Sequence, residues 1–151
     1  MKETIGLICD HVNLRIMNEL LNWAKQNIKH VTFIYLNKKL RAKSVLDNAD
    51  IAIKALHAKK VTRVVAIDDY GIAAFMYISK FQDIVVAEIS DEHSAHMTKE
   101  HNNANVLSFA SKISTLTEMK SMLSAFCNSK YEGGRHKVRL DMMHSISKGG
   151  M

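Results

Sequence analysis

Four consecutive apolar residues, three of them β-branched, run into two acids, an aromatic and a glycine in Val64-Val65-Ala66-Ile67-Asp68-Asp69-Tyr70-Gly71. An apolar run without polar alternation fits a strand buried on both faces. The acids and the glycine mark a turn, and a helix is expected from just after Gly71 to Lys80. Upstream the same pattern occurs twice. Ile5–Cys9 precedes Leu14, Met17, Leu20, Leu21 and Ala24 at helical spacing, and Val31–Leu36 precedes Val45, Ala49, Ala52, Ile53 and Leu56. Downstream, Ile84–Ile89 leads into a helix for which Ser90 is the expected cap. Asn105–Phe109 leads into a helix from Thr115 to Cys127, and a last helix is expected from about Arg135 to Ile146. Strands alternating with helices imply a parallel sheet covered on both faces through right-handed crossovers. The expected fold is α/β: a three-layer α/β/α sandwich with a Rossmann-like five-stranded parallel sheet, as one domain over 1–151. The last helix carries few large apolar residues (Val138, Leu140, Met142, Met143, Ile146), so it is expected at a subunit interface.

At 151 residues and 47% apolar content the chain can bury a core and is not a disordered sequence. Two distant cysteines, Cys9 and Cys127, make no disulfide framework, which favours a reducing compartment. No apolar run approaches membrane-spanning length, and Met1-Lys2-Glu3-Thr4 opens no signal-peptide pattern. The expected location is therefore cytoplasmic, with no membrane partner. The net charge of +6 is unevenly spread: residues 1–65 carry +7, residues 66–104 carry −5 and residues 105–151 carry +4. The cations form no run longer than two. That suits an anion the size of a phosphate better than a nucleic-acid duplex, so no nucleic-acid partner is expected.

In open parallel sheets ligands bind beyond the C-terminal strand ends. The rule selects Asp10-His11, Asp68-Asp69-Tyr70-Gly71 and Ser90-Asp91. Asp68 and Asp69 stand where helix amides favour negative charge. They can cap that helix, or sit at the mouth of an amide nest able to hold an enediolate oxygen. Arg135 and Arg139, four apart after Gly133-Gly134, share a helical face on which two guanidinium forks can grip a phosphate. His101-Asn102-Asn103 lies at a helix end. His93 and His96 lack a convincing metal spacing and an acidic third ligand, so neither a metal nor another cofactor is expected.

Three segments together resemble the B-type sugar-phosphate isomerases, the family of ribose-5-phosphate isomerase B and of the two galactose-6-phosphate isomerase subunits. They are Cys9-Asp10-His11, Glu100-His101-Asn102-Asn103-Ala104-Asn105-Val106-Leu107, and Tyr131-Glu132-Gly133-Gly134-Arg135-His136 with Arg139. The resemblance implies aldose–ketose isomerisation of a sugar phosphate through an enediolate, without a metal. It implies that His101 helps to open the sugar ring, and that Asp10, His11, Asn102, Arg135 and Arg139 hold hydroxyls and phosphate. A cysteine at the end of strand three moves the proton between C1 and C2, and the amides of a glycine-rich loop stabilise the enediolate. The family's sites form between subunits.

The strand-three segment departs from that pattern. Asp68 stands at the cysteine position, Tyr70 at a threonine, and Gly71 alone remains of three glycines. Ile67-Asp68-Asp69-Tyr70-Gly71, Ala87-Glu88-Ile89-Ser90-Asp91-Glu92 and Val138-Arg139-Leu140-Asp141-Met142 are most similar to the galactose-6-phosphate branch. This implies a heteromer with a B-type isomerase subunit that brings the cysteine, to which this chain lends His101 and the arginines. Two other readings are a homodimer, or other homo-oligomer, of the ribose-5-phosphate type with Asp68 as the base, and a sugar-phosphate-binding module without turnover. The residues leave the sugar open among galactose, ribose and allose phosphates.

Overall fold

Five short strands carry the sheet in a computed structural model that describes residues 3–37 and 44–147. The chain runs β1 (Glu3–Cys9), α1 (Leu14–Asn27), β2 (Val31–Tyr35), α2 (Val45–His57), β3 (Arg63–Asp68), α3 (Ile72–Ile78) and β4 (Val86–Glu88). It continues through α4 (Glu92–Asn102), β5 (Val106–Ala110), α5 (Leu116–Asn128) and α6 (Arg135–Ser147). All pairings are parallel, in the order β2-β1-β3-β5-β4. The sequence direction reverses between β1 and β3, which opens a crevice above the C-terminal ends of those two strands.

Alternation along the central strands sorts the core into two layers. Ile5, Leu7, Val65, Ile67, Leu107 and Phe109 face one side, against α1, α4 and α5, where Met17, Leu20, Met119, Met122 and Phe126 are fully buried. Ile8, Val64, Ala66 and Val106 face the other side, against α2 and α3, with Ala49, Ala52, Ala74 and Ile78. This is the expected α/β/α sandwich. At the N-terminal edge of the sheet, buried Arg63 pairs with Glu3 at 2.6 Å, and its guanidinium lies 4.7 Å from the centre of the Phe126 ring. No helix among the described residues is long and apolar enough to cross a membrane.

Several boundaries differ from the sequence reading. β4 spans three residues rather than six, because among the described residues it is an edge strand paired with β5 alone. Before it, the Val85 amide bonds to the side chain of Asn105 at 2.9 Å instead of to a strand. The cap of α4 is Asp91, not Ser90: its carboxylate accepts from the Ser94 amide and the Ser94 hydroxyl, both at 2.7 Å. α3 stops at Ile78, two residues before Lys80. Thr115 lies outside α5 as its cap, in a reciprocal capping box with Glu118. α6 buries His136 and Leu140 and leaves Val138, Met142, Met143 and Ile146 exposed.

Candidate active site

The polar residues expected at the site fall at two opposite ends of the sheet. The upper end lies over the crevice between β1 and β3. Asp10 follows β1, and its Oδ1 accepts from the Asn13 backbone amide at 3.1 Å and from the Asn13 side chain at 2.7 Å. Asn13 is buried, and the same Nδ2 donates to Asp69 Oδ1 at 3.1 Å. One asparagine therefore ties the turn after β1 to the turn after β3. His11 is exposed in the single 3-10 turn that Asp10 caps.

Asp68 ends β3 and is 5% exposed. Its Oδ1 accepts from the backbone amides of Tyr70 (2.9 Å) and Gly71, and its Oδ2 accepts from that of Ala74 (3.1 Å). The turn and first residues of a short helix leave such donors without partners, and a carboxylate satisfies them. Gly71 makes the turn possible. Its φ is +74°, and a Cβ there would stand 3.0 Å from Glu88 Cγ. Ser108 Oγ donates to the Gly71 carbonyl at 2.6 Å and fixes the turn from below. The amide nest after β3 is thus fully formed, and the chain's own carboxylate fills it. A ligand oxyanion arriving there meets occupied donors and a negative charge.

The lower end is built by α4, α6 and the loop between α5 and α6. His101 and Asn102 close α4, whose C-cap Asn103 adopts the left-handed conformation. The Glu132 amide donates to the Glu100 carbonyl at 3.0 Å and pins the loop to α4. Gly133 and Gly134 follow at φ +68° and +53°, a left-handed pair that turns the chain into α6. This lays His136 flat on His101, with ring centroids 4.0 Å apart and 7° between the planes. Glu132 Oε2 stands 3.6 Å from His136 Nε2 and 4.0 Å from His101 Nε2. Burial, with His101 and Arg135 alongside, holds the His136 pKa below the ordinary histidine value. A cavity of about 160 Å³ opens here, lined by His101, Asn102, His136, Arg139, Leu140 and Met143. Arg135 is exposed in the first turn of α6.

His101, Glu132 and His136 each bring a ligand-type atom within 4.8 Å of the others. An ion bound by both imidazoles must lie in both ring planes. Two nearly parallel planes stacked face to face share no such point, so the pair as arranged does not chelate.

Pairing fixes how far apart the two ends are. β3 and β5 run in register from Val64 opposite Val106 to Asp68 opposite Ala110. Asn102 lies just before the start of β5, whereas Asp68 lies at its end, four residue steps or about 13 Å away. The structure joins Asp68 to Gly71, and Asp10 to Asp69, at one end. It joins His101, Asn102 and Arg139 at the other. Sequence reasoning gave no role to Asn13, Ser108, Glu132 or His136. Asn13 follows Asp10 at the three-residue spacing of a side-chain cap, and Ser108 is the lone polar residue in β5, so both left a signal. A cleft of about 790 Å³, lined by Trp23, His96 and Lys120 among others, holds none of the expected residues.

The chain belongs to the ribose/galactose isomerase family, whose model matches residues 5–143. It is 41% identical over 103 residues to the galactose-6-phosphate isomerase subunit LacA of Clostridium acetobutylicum, covering 68% of this chain and 72% of that one. It is 34% identical over 132 residues to LacA 2 of Streptococcus pyogenes serotype M1, covering 82% and 93%. Ribose-5-phosphate isomerase B of Clostridium thermocellum shares the fold at a TM-score of 0.88 and 21% identity, covering 98% and 99%. The Mycoplasma genitalium enzyme, solved with bound ribulose-5-phosphate, matches at a TM-score of 0.83 and 25% identity, covering 98% of each chain.

Proposed function

We propose that this chain is the A-type subunit of a galactose-6-phosphate isomerase. It interconverts galactose 6-phosphate and tagatose 6-phosphate through an enediolate, as part of a heteromer with a B-type subunit. The active centre combines the lower end of this chain with the upper end of its partner. His101 protonates the ring oxygen as the sugar opens. Arg135 and Arg139 hold the phosphate, and Asn102 contacts a hydroxyl. The partner's cysteine takes the proton from C2 and returns it to C1, while the partner's open amide nest stabilises the enediolate. Asp10, His11 and Gly71 form the matching half on this chain, in which Asp68 caps α3 rather than abstracting a proton.

The observation that carries this reading is the division of the polar residues between two ends of β3, with the upper nest closed by Asp68. His101 and Asp68 of one chain cannot serve one small sugar, so a complete centre needs two chains. The exposed apolar face of α6 beside the lower end offers a surface for that contact. The sugar is inferred from the LacA relatives. The test is an isomerase assay on the purified chain with galactose 6-phosphate, alone and mixed with a B-type subunit. Activity appearing only in the mixture supports the reading, and ordinary turnover by the chain alone refutes it.

A further inference from the structure

His136 is a buried imidazole with an unusual environment. It is 7% exposed, yet its Nε2 has no hydrogen-bond partner among the described residues. Its ring lies against a single partner ring, that of His101, and it borders the cavity that His101 and Arg139 share. A buried polar atom without a partner is costly. Leucine or phenylalanine would fill a purely structural position more cheaply, so the ring calls for an explanation in terms of what it touches.

Two features define that contact. The planes are parallel within 7°, which locks the tilt of the His101 ring. His101 stands in the last turn of α4, next to a left-handed cap. The Glu132 carboxylate stands within 4.0 Å of both Nε2 atoms and is itself anchored, because its backbone bonds to Glu100. The left-handed Gly133-Gly134 pair sets the register that brings Glu132 and His136 to the same ring.

We propose that His136 is a positioning residue for His101: stacked face to face on it, with the Glu132 carboxylate beside both rings, it fixes the plane in which His101 presents its nitrogen to the sugar ring. This rests on the reading of His101 as the ring-opening group. The chemistry stays with His101. A ring left free to rotate delivers its proton along the required line for only part of the time, and small misplacements of a catalytic group are expensive.

The test compares His136→Ala, which removes the stacking ring, with His136→Phe, which keeps a flat ring in the same space. Long-range ¹H–¹⁵N spectra of the labelled chain report the tautomer and ring shifts of His101, assigned with His101→Asn. The expected result is a changed His101 signal in His136→Ala and a nearly unchanged one in His136→Phe. In the mixed enzyme, kcat is expected to fall about 10- to 100-fold for His136→Ala at similar KM. His136→Phe should retain most of the rate. A His101 signal indifferent to His136→Ala overturns the proposal, and so does a His136→Phe variant as impaired as His136→Ala. The spectra do not depend on turnover. If no mixture isomerises the sugar but the His101 signal still responds, the functional reading fails and the positioning role stands.

Discussion

Asp68 holds the amides of Tyr70, Gly71 and Ala74 with one carboxylate, a large share of the hydrogen bonding at the start of α3. Removing it strands three donors, two of them on buried residues. Asp68→Ala is therefore expected to cost about 2 kcal/mol, near the top of the range for a lost cap. Urea denaturation checks this as a lower midpoint with an unchanged slope; an unaltered midpoint would show that the bonds carry no net weight. A second expectation concerns Cys127, whose thiol is pushed up to about 12 by burial. Above pH 9 the unfolded chain releases this proton while the folded chain keeps it, so stability falls as pH rises. The loss from this group reaches about 2 kcal/mol by pH 10.5. Lys99, lowered to about 8 by burial, acts in the opposite sense between pH 8 and 10.5. The readout is therefore the difference between wild type and Cys127→Ala, in which Lys99 cancels: wild type should lose ground steadily from pH 8.5 to 10.5. At this scale the sequence revealed which residues were chemically notable but not what they touch. Asp68 was legible as a carboxylate on an amide nest. Its choice between capping and catalysis depended on where Oδ1 and Oδ2 point, which no pattern encodes.

Elements with two-sided burial were the most legible. β1, β3 and β5 are central, and their apolar runs nearly coincide with the observed strands. The edge strand β4 was over-read because Ile84 and Val85 precede the point where its partner β5 begins, opposite Val86. The cap of α4 slipped by one residue because Ser90 and Asp91 are both good caps, and only Asp91 stands three residues before the hydroxyl of Ser94. For α5, Thr115 accepts from the Glu118 amide while Glu118 accepts from the Thr115 amide and hydroxyl. Thr115→Ala should cost about 1 kcal/mol, measured as a lower thermal midpoint. α6 shows why a weak amphipathic pattern carries information. It buries His136 and Leu140 and exposes Val138, Met142 and Ile146, so its apolar residues serve more than one face. Replacing Met142 and Ile146 by Lys should leave the folding of the chain unchanged and weaken association with the B-type subunit more than about 10-fold. Sedimentation of the mixture measures it, and undiminished association would place the contact elsewhere.

On the proposed reading, the molecule carries two half-sites held apart by its own sheet. Charge follows the same division: the acidic central segment supplies Asp68 and Asp69 to the upper end, and the basic tail supplies Arg135 and Arg139 near the lower end. The opposite placement follows from the parallel sheet expected from the sequence, because His101 precedes β5 and Asp68 ends β3, but the distance between them is set by the register of those strands. It also turns the account into a statement about two chains. The most direct measurement is the galactose 6-phosphate isomerase rate of this chain mixed with a B-type subunit, with His101→Asn placed in this chain alone. The account predicts that this variant lowers the rate by at least about 100-fold, while Asp68→Asn in the same chain leaves it within a few-fold of wild type. A mixture indifferent to His101→Asn and silenced by Asp68→Asn would contradict it.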